Sequence, residues 1–276
     1  MSANSLALPV REVPADAPPL PHGLLQRLAG FRWTRNLVGQ AGATVYRLAK
    51  AGEADLYLKY ASAESVSQLI DEMTRLRWLS GLLPAAMLEY FEWTDNEAWL
   101  PTRALPGRTA YQWLTEAPER SEAVVTALAQ CLQSLHLLPP EQCPYHAHHS
   151  GRLAEARRRI DAEEVDVDDF DEERAGWTAE QVWQAMTQYL PLIPDPVVSH
   201  GDYSLDNILL DEHGQITGLI DLGRLGVADR YQDLAILWNC LAEFGPELQQ
   251  TFFKAYGLAE PDEGKLTFHL CLDECF

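Results

Sequence analysis

From Phe31 to Tyr60 apolar and polar residues alternate in short runs, broken at Gly39 to Gly42 and at Ala51 to Glu53. A period of two between glycine-bearing breaks predicts a small antiparallel sheet. Within it, Leu56-Tyr57-Leu58-Lys59 sends both leucines to one face and Tyr57 with Lys59 to the other. The period then lengthens: Leu69, Met73, Leu76 and Leu79 recur at three- and four-residue steps, so residues 64–79 read as a helix with Glu72 near its inner face. Thr102 to Gly107 has no clear period and reads as a connector. Beyond it the helical period dominates. Ser121 begins a helix that buries Val124, Val125, Leu128, Leu132 and Leu135, and further helices are expected over 177–190 and 231–244. One strand-like interruption remains, where Asn207-Ile-Leu-Leu and Thr217-Gly-Leu-Ile flank Asp211 to Gly214. That pattern predicts a β-hairpin whose open end sets residues 207 and 221 opposite one another. The expected class is therefore α+β: a sheet-bearing lobe over 23–102, a hinge over 103–107 and a mainly helical lobe over 108–276. Residues 1–22, with Pro9, Pro14, Pro18, Pro19 and Pro21, read as a disordered lead-in.

Composition narrows the function classes. The 276 residues are 47% apolar and carry a formal net charge of −20, which opposes long-range attraction to nucleic acid or an anionic membrane and favours a cationic partner. Residues 161–174 concentrate nine carboxylates with one arginine, a run that ordinarily reads as a solvated, mobile loop and here becomes a candidate cation-binding flap. No signal peptide and no stretch long enough to span a bilayer is read. Five cysteines without a Cys-x-x-Cys pair suit a reducing cytoplasm. His269, Cys271 and Cys275 lack a fourth ligand at zinc-like spacing, His146, His148 and His149 read as an exposed loop, and no obligate protein partner is indicated.

The chemistry concentrates in His200-Gly-Asp-Tyr-Ser-Leu-Asp-Asn207 and Asp221. In phosphoryl transfer an Asp accepts the acceptor hydroxyl's proton, an Asn four to five residues later binds Mg²⁺, and a later Asp holds the same metal. Asp202, Asn207 and Asp221 match those roles. Lys59 is then the residue to reach the phosphates of ATP, with Glu72 as its partner carboxylate and Tyr57 placed to stack on a base. The Gly39 to Thr44 loop, including Gly42 and Ala43, can offer backbone amides to phosphates, and adenine would lie beside the hinge at Arg103 and Leu105. Two rivals share these residues: a kinase of another small alcohol, and a kinase-like binding protein without turnover.

Taken together, Val198 to Ile208, Gly218 to Asp233, Val38 to Arg47, Leu56 to Lys59, Asp71 to Trp78, Asp168 to Arg174 and Leu272 to Phe276 resemble the aminoglycoside 3′-phosphotransferases, closest to the type I branch that modifies kanamycin and neomycin. The resemblance covers roughly residues 28 to 276. It implies a protein-kinase-like bilobal fold with ATP between the lobes and a cationic drug in a mostly acidic pocket on the larger one. Asp169, Asp171, Glu172, Glu243, Asp273 and Glu274 match family drug-binding positions, as does Phe276 through its main-chain carboxylate. Arg224 matches a residue near the catalytic site, and Asn239 stands where other branches carry Arg. Ala41 replaces a serine of several relatives, which removes a hydroxyl contact to the β-phosphate.

Overall fold

The computed structural model describes residues 12–37 and 42–276, so Gly39 and Ala41 of the expected phosphate loop lie outside the described residues. The chain separates into two compact units between Leu105 and Pro106.

The first unit is an antiparallel sheet of β1 (Glu12–Pro14), β2 (Arg32–Asn36), β3 (Thr44–Ala49), β4 (Leu56–Ser62), β5 (Met87–Leu88), β6 (Glu92–Trp93) and β7 (Glu97–Arg103). Its order is β1-β2-β3-β4-β7-β5, with β6 also on β7. The alternation in sequence becomes two separate cores. Leu48, Leu58 and Trp99 pack with Leu24 and Leu28 on the face covered by helix α1 (His22–Arg27). Ala61, Ala98 and Leu100 pack with Val66 and Leu69 on the face covered by helix α2 (Val66–Leu79). Lys59 shares the second face by parity, as the period of two demands. The lead-in differs from expectation over residues 12–22. Glu12–Pro14 pairs with β2 as an edge strand, and Trp99 Nε1 donates to the Pro19 carbonyl at 2.9 Å. Proline lacks a ladder donor, so a Pro-rich segment can order at a sheet edge where that donor is not needed.

The second unit is mainly helical: α3 (Ala110–Glu116), α4 (Ser121–His136), α5 (His149–Asp161), α6 (Ala179–Thr187), α7 (Tyr231–Ala242), α8 (Pro246–Tyr256) and α9 (Glu263–Asp273). Two small antiparallel sheets punctuate it, one of β8 (Arg108–Thr109), β10 (Ile208–Leu210) and β11 (Ile216–Leu219), the other of β9 (Pro196–Ser199) and β12 (Gly226–Asp229). The hairpin forms one residue out of the expected register: Ile208 lies opposite Leu219, so Ile220 rather than Asp221 faces Asn207, and Asp221 follows as the next residue. Asp211 Oδ1 closes its loop by accepting His213 N and Gln215 N, each at 2.9 Å. Helix α5 corrects the reading of His149 as loop: its ring packs edge-on against Phe268. The acidic run is likewise anchored, because Phe170 and Arg174 are both buried. Among the described residues no helix is long and apolar enough to cross a membrane.

Gly107 is where β8 meets the hairpin. Its φ is +104°, and a Cβ there would stand 2.0 Å from the Leu210 carbonyl oxygen. Gly107→Ala is expected to cost at least about 1–3 kcal/mol from backbone strain alone, read as a fall in the thermal unfolding midpoint. An unchanged midpoint would show that the loop relaxes freely.

Candidate active site

In the first unit the lysine and its partner meet. Lys59 Nζ donates to Glu72 Oε1 at 2.7 Å and to Oε2 at 2.9 Å. Glu72 is buried on α2, and a buried carboxylate is tolerated when an ammonium pairs with it. Tyr57 is half-buried, and burial raises its hydroxyl pKa. Gly42 has φ +76°, and a Cβ there would come within 2.8 Å of Gln68 Oε1, so the end of the loop requires glycine. Ala43 packs against the α2-side core. Arg103 forms an ion pair with Glu89, which leaves Leu105 as the half-buried last residue of the unit.

In the second unit the central segment hangs between β9 and β10. A fully buried carboxylate holds its start: Asp233 on α7 accepts His200 N at Oδ2 and Gly201 N at Oδ1, both at 2.8 Å. His136 Nε2 donates to Asp233 Oδ2 at 2.9 Å, while its Nδ1 pairs with the Tyr256 hydroxyl at 2.7 Å. Burial works against the charge on Asp233, but the His136 hydrogen bond and the loop amides outweigh it and hold the carboxyl below its ordinary range. The partners of His200 define its tautomer. Nε2 must donate to the Ile220 carbonyl at 3.0 Å, so Nδ1 is left to accept Asp202 N at 3.3 Å. Gly201, at φ +85°, lets the loop pass so close to Arg224 that a Cβ would lie 2.4 Å from its carbonyl oxygen.

Asp202 and Asn207 are directly linked. Asn207 Nδ2 donates to the Asp202 carbonyl and to Asp202 Oδ2, both at 3.0 Å. Ile220 N donates to the Asn207 carbonyl at 3.0 Å, which brings the exposed Asp221 to the open end of the hairpin. Asp221 takes a left-handed backbone, φ +59°, a conformation that Asp tolerates better than most residues. Burial raises the Asp202 pKa, opposed by the charge of Arg224 and reinforced by that of Asp273. A partly desolvated carboxylate of this kind is suited to take a proton.

Asp202 faces a cavity of about 340 Å³. Asp169, Asp171, Arg224, Asn239, Asp273, Glu274 and Phe276 also line it, whereas Glu172 and Glu243 do not. Glu172 follows Asp171 in a tight turn, where neighbouring side chains diverge, and Glu243 accepts from the Tyr111 hydroxyl at 3.2 Å. Arginines besides the expected Arg224 enter the mostly acidic wall. Arg152 and Arg224 both donate to Asp273 Oδ1, at 3.1 and 3.4 Å. The guanidinium groups of Arg152, Arg159 and Arg224 lie 4.6, 5.7 and 5.4 Å from the centre of the Phe276 ring. The lining stays mostly acidic, with Asp166, Asp169, Asp171, Asp202, Asp273 and Glu274 against Arg159 and Arg224, but several of its carboxylates are paired with guanidinium groups. Sequence reading missed Arg152 and Arg159 because it missed α5, and missed His136 and Asp233 because their role is visible only through contacts between distant segments.

The model of the phosphotransferase enzyme family matches residues 33–269 of this chain. Among curated relatives, an aminoglycoside 3′-phosphotransferase from Escherichia coli is 49% identical over 96% of this chain and 98% of its own length, and one from Salmonella typhimurium is 47% identical over the same shares. Among solved structures, a type VIII aminoglycoside 3′-phosphotransferase superimposes with a TM-score of 0.82 at 37% identity, covering 92% of this chain and 97% of its own. An aminoglycoside phosphotransferase from Streptomyces rimosus, in complex with ADP and streptomycin, gives 0.73 at 29% identity, covering 86% and 94%.

The Asp233 brace generates a stability prediction with a definite sign in pH. Its folded pKa is lowered, so its contribution is present above the unfolded value of about 3.9 and is lost as pH falls through the folded pKa. Asp233→Ala leaves buried donors without an acceptor and is expected to cost about 3–5 kcal/mol near neutral pH. Unfolding followed across the acid range should show the variant's deficit shrinking toward low pH. A deficit constant with pH would remove the ionised carboxylate from the account.

Proposed function

Because this chain belongs to the phosphotransferase enzyme family, we propose that it transfers the γ-phosphoryl group of ATP to the 3′-hydroxyl of kanamycin- and neomycin-class aminoglycosides, a modification that confers resistance. One observation carries the reading: in a chain nearly half identical to aminoglycoside 3′-phosphotransferases, the half-buried Asp202 carboxylate faces the cavity while hydrogen-bonded to Asn207.

Each step is then assigned to residues. Asp202 orients the acceptor hydroxyl and takes its proton as the oxygen attacks phosphorus; its raised pKa brings it closer to the pH at which a base works well. The Asn207 amide nitrogen is spent on Asp202, so its oxygen is the atom left for a hard cation, and Asp221 adds a carboxylate at the same hairpin end. An amide oxygen plus one carboxylate suits Mg²⁺, which keeps several ligands for water and phosphate. When bound there, Mg²⁺ offsets negative charge on the phosphate oxygens. Lys59, held by Glu72, supplies an oriented ammonium for the nucleotide's phosphates. Ammonium and hydroxyl groups of the drug meet Asp171, Glu274 and Asn239 through charge-assisted hydrogen bonds that set which hydroxyl faces Asp202.

ATP-coupled turnover of kanamycin set beside tobramycin, which lacks a 3′-hydroxyl, tests the regiochemistry with charge nearly matched. Kanamycin alone is expected to turn over. Equal turnover of both would move the modified hydroxyl elsewhere, and turnover of neither would point to another small alcohol or to binding without catalysis. Asp202→Asn should lower kcat by about 10²–10⁴-fold while nucleotide still binds.

A further inference from the structure

Arg174 is the single cation of the acidic run, and its side chain is only 6% exposed. From that position it grips two carboxylates of the cavity wall: Nε donates to Glu274 Oε1 at 2.5 Å and Nη2 to Asp171 Oδ2 at 2.8 Å. The other hydrogen bonds to this pair fall on the same oxygens. Asp171 N donates to Glu274 Oε1 at 3.2 Å, and Asn239 Nδ2 donates to Asp171 Oδ2 at 2.9 Å. Asp171 Oδ1 and Glu274 Oε2 are therefore the oxygens left for a ligand. Burial and the neighbouring Asp171 charge push the Glu274 carboxyl up, with Arg174 acting to keep it ionised.

Charge then determines what this wall can take. Asp171, Glu274 and Arg174 sum to one negative charge, whereas Asp273 with Arg152 and Arg224 sums to one positive charge. We propose that Arg174 is a positioning and specificity-determining residue: it orients Asp171 and Glu274 as a subsite for one substrate ammonium group, while the Asp273 corner presents no net negative charge to a second. This rests on the aminoglycoside reading and adds to it the residue that partitions the cavity. Arg174 does not touch substrate; it acts through the two carboxylates. Without it Asp171 loses an anchor, and the buried Glu274 moves toward its neutral form.

The test is direct binding of kanamycin by calorimetry together with steady-state KM and kcat, on the wild-type chain, Arg174→Met, Arg174→Lys, and Arg174→Met placed in an Asp171→Asn/Glu274→Gln background. Arg174→Met is expected to weaken kanamycin binding by about ten- to a hundredfold and to raise KM more than it lowers kcat, with Lys restoring part of the loss. In the neutralised background the same change is expected to leave binding equal or tighter, because no carboxylate remains to be held and a repelling cation is gone. An equal loss in both backgrounds would reduce Arg174 to a structural prop and overturn the inference, as would undiminished binding by Arg174→Met. If Arg174→Met does not fold, the Arg174→Lys comparison in the two backgrounds decides in the same way. Absence of kanamycin binding by the wild-type protein would overturn the aminoglycoside reading and this inference with it.

Discussion

Asp233 puts a carboxylate where water does not reach, and its two oxygens are shared among the backbone of His200 and Gly201 and the ring of His136. A carboxylate in that setting is costly unless donors meet its oxygens, and here they come from helix α4 and from the loop at once. The loop that carries Asp202 is therefore not held by its own sequence. It is held by α7 from behind and α4 beyond that, and the path of Asp202 and Asn207 follows from where that carboxylate stands. The His200 ring extends the arrangement forward by joining Asp202 N to the Ile220 carbonyl, so that loop and hairpin are held to one geometry.

In front of this scaffold the cavity is built on compensation between charges. A chain with a net charge of −20 has carboxylates to spare, yet those that line the cavity are ringed by guanidinium groups. Unpaired carboxylates this close together would raise one another's pKa and partly neutralise, leaving fewer charges for a ligand than the residue count suggests. Interleaved arginines offset that repulsion and fix the direction in which the paired carboxylates point. The acidic field of the whole chain and the paired charges of its cavity act over different distances: the first attracts a cation, the second decides which carboxylate oxygens meet it.

What sequence reading could and could not reach follows the same division. The strand lysine, the helix glutamate and the hairpin were legible because each depends on short-range periodicity: Lys59 on a period of two, Glu72 on one near four, and the Asn207 to Asp221 hairpin on two apolar runs about a turn. Helix α5 was not legible, since it is rich in arginine and its buried residues are few, so no apolar stripe announces it. Arg152 and Arg159 were lost with it. Residues 161–174 read as a candidate cation-binding flap, but what anchors that flap was not legible, because composition carries no information on the contact of a distant Glu274 with Arg174. Glu172 and Glu243, matched through the resemblance, stand outside the lining of that cavity, Glu172 beyond Asp171 in the turn and Glu243 against the Tyr111 hydroxyl.

The close passage of Gly201 beneath the Arg224 carbonyl also bears on how such a chain can change under selection. Where backbone lies against backbone, every larger residue collides, and no compensating change in a neighbouring side chain creates room. Around Arg174 and Asn239 the contacts run between side chains, which can be exchanged in pairs. An altered range of bound molecules would therefore be reached through the cavity wall opposite Asp202, while the loop bearing Asp202 stays closed to variation, so adaptability and catalytic geometry reside in different parts of one cavity.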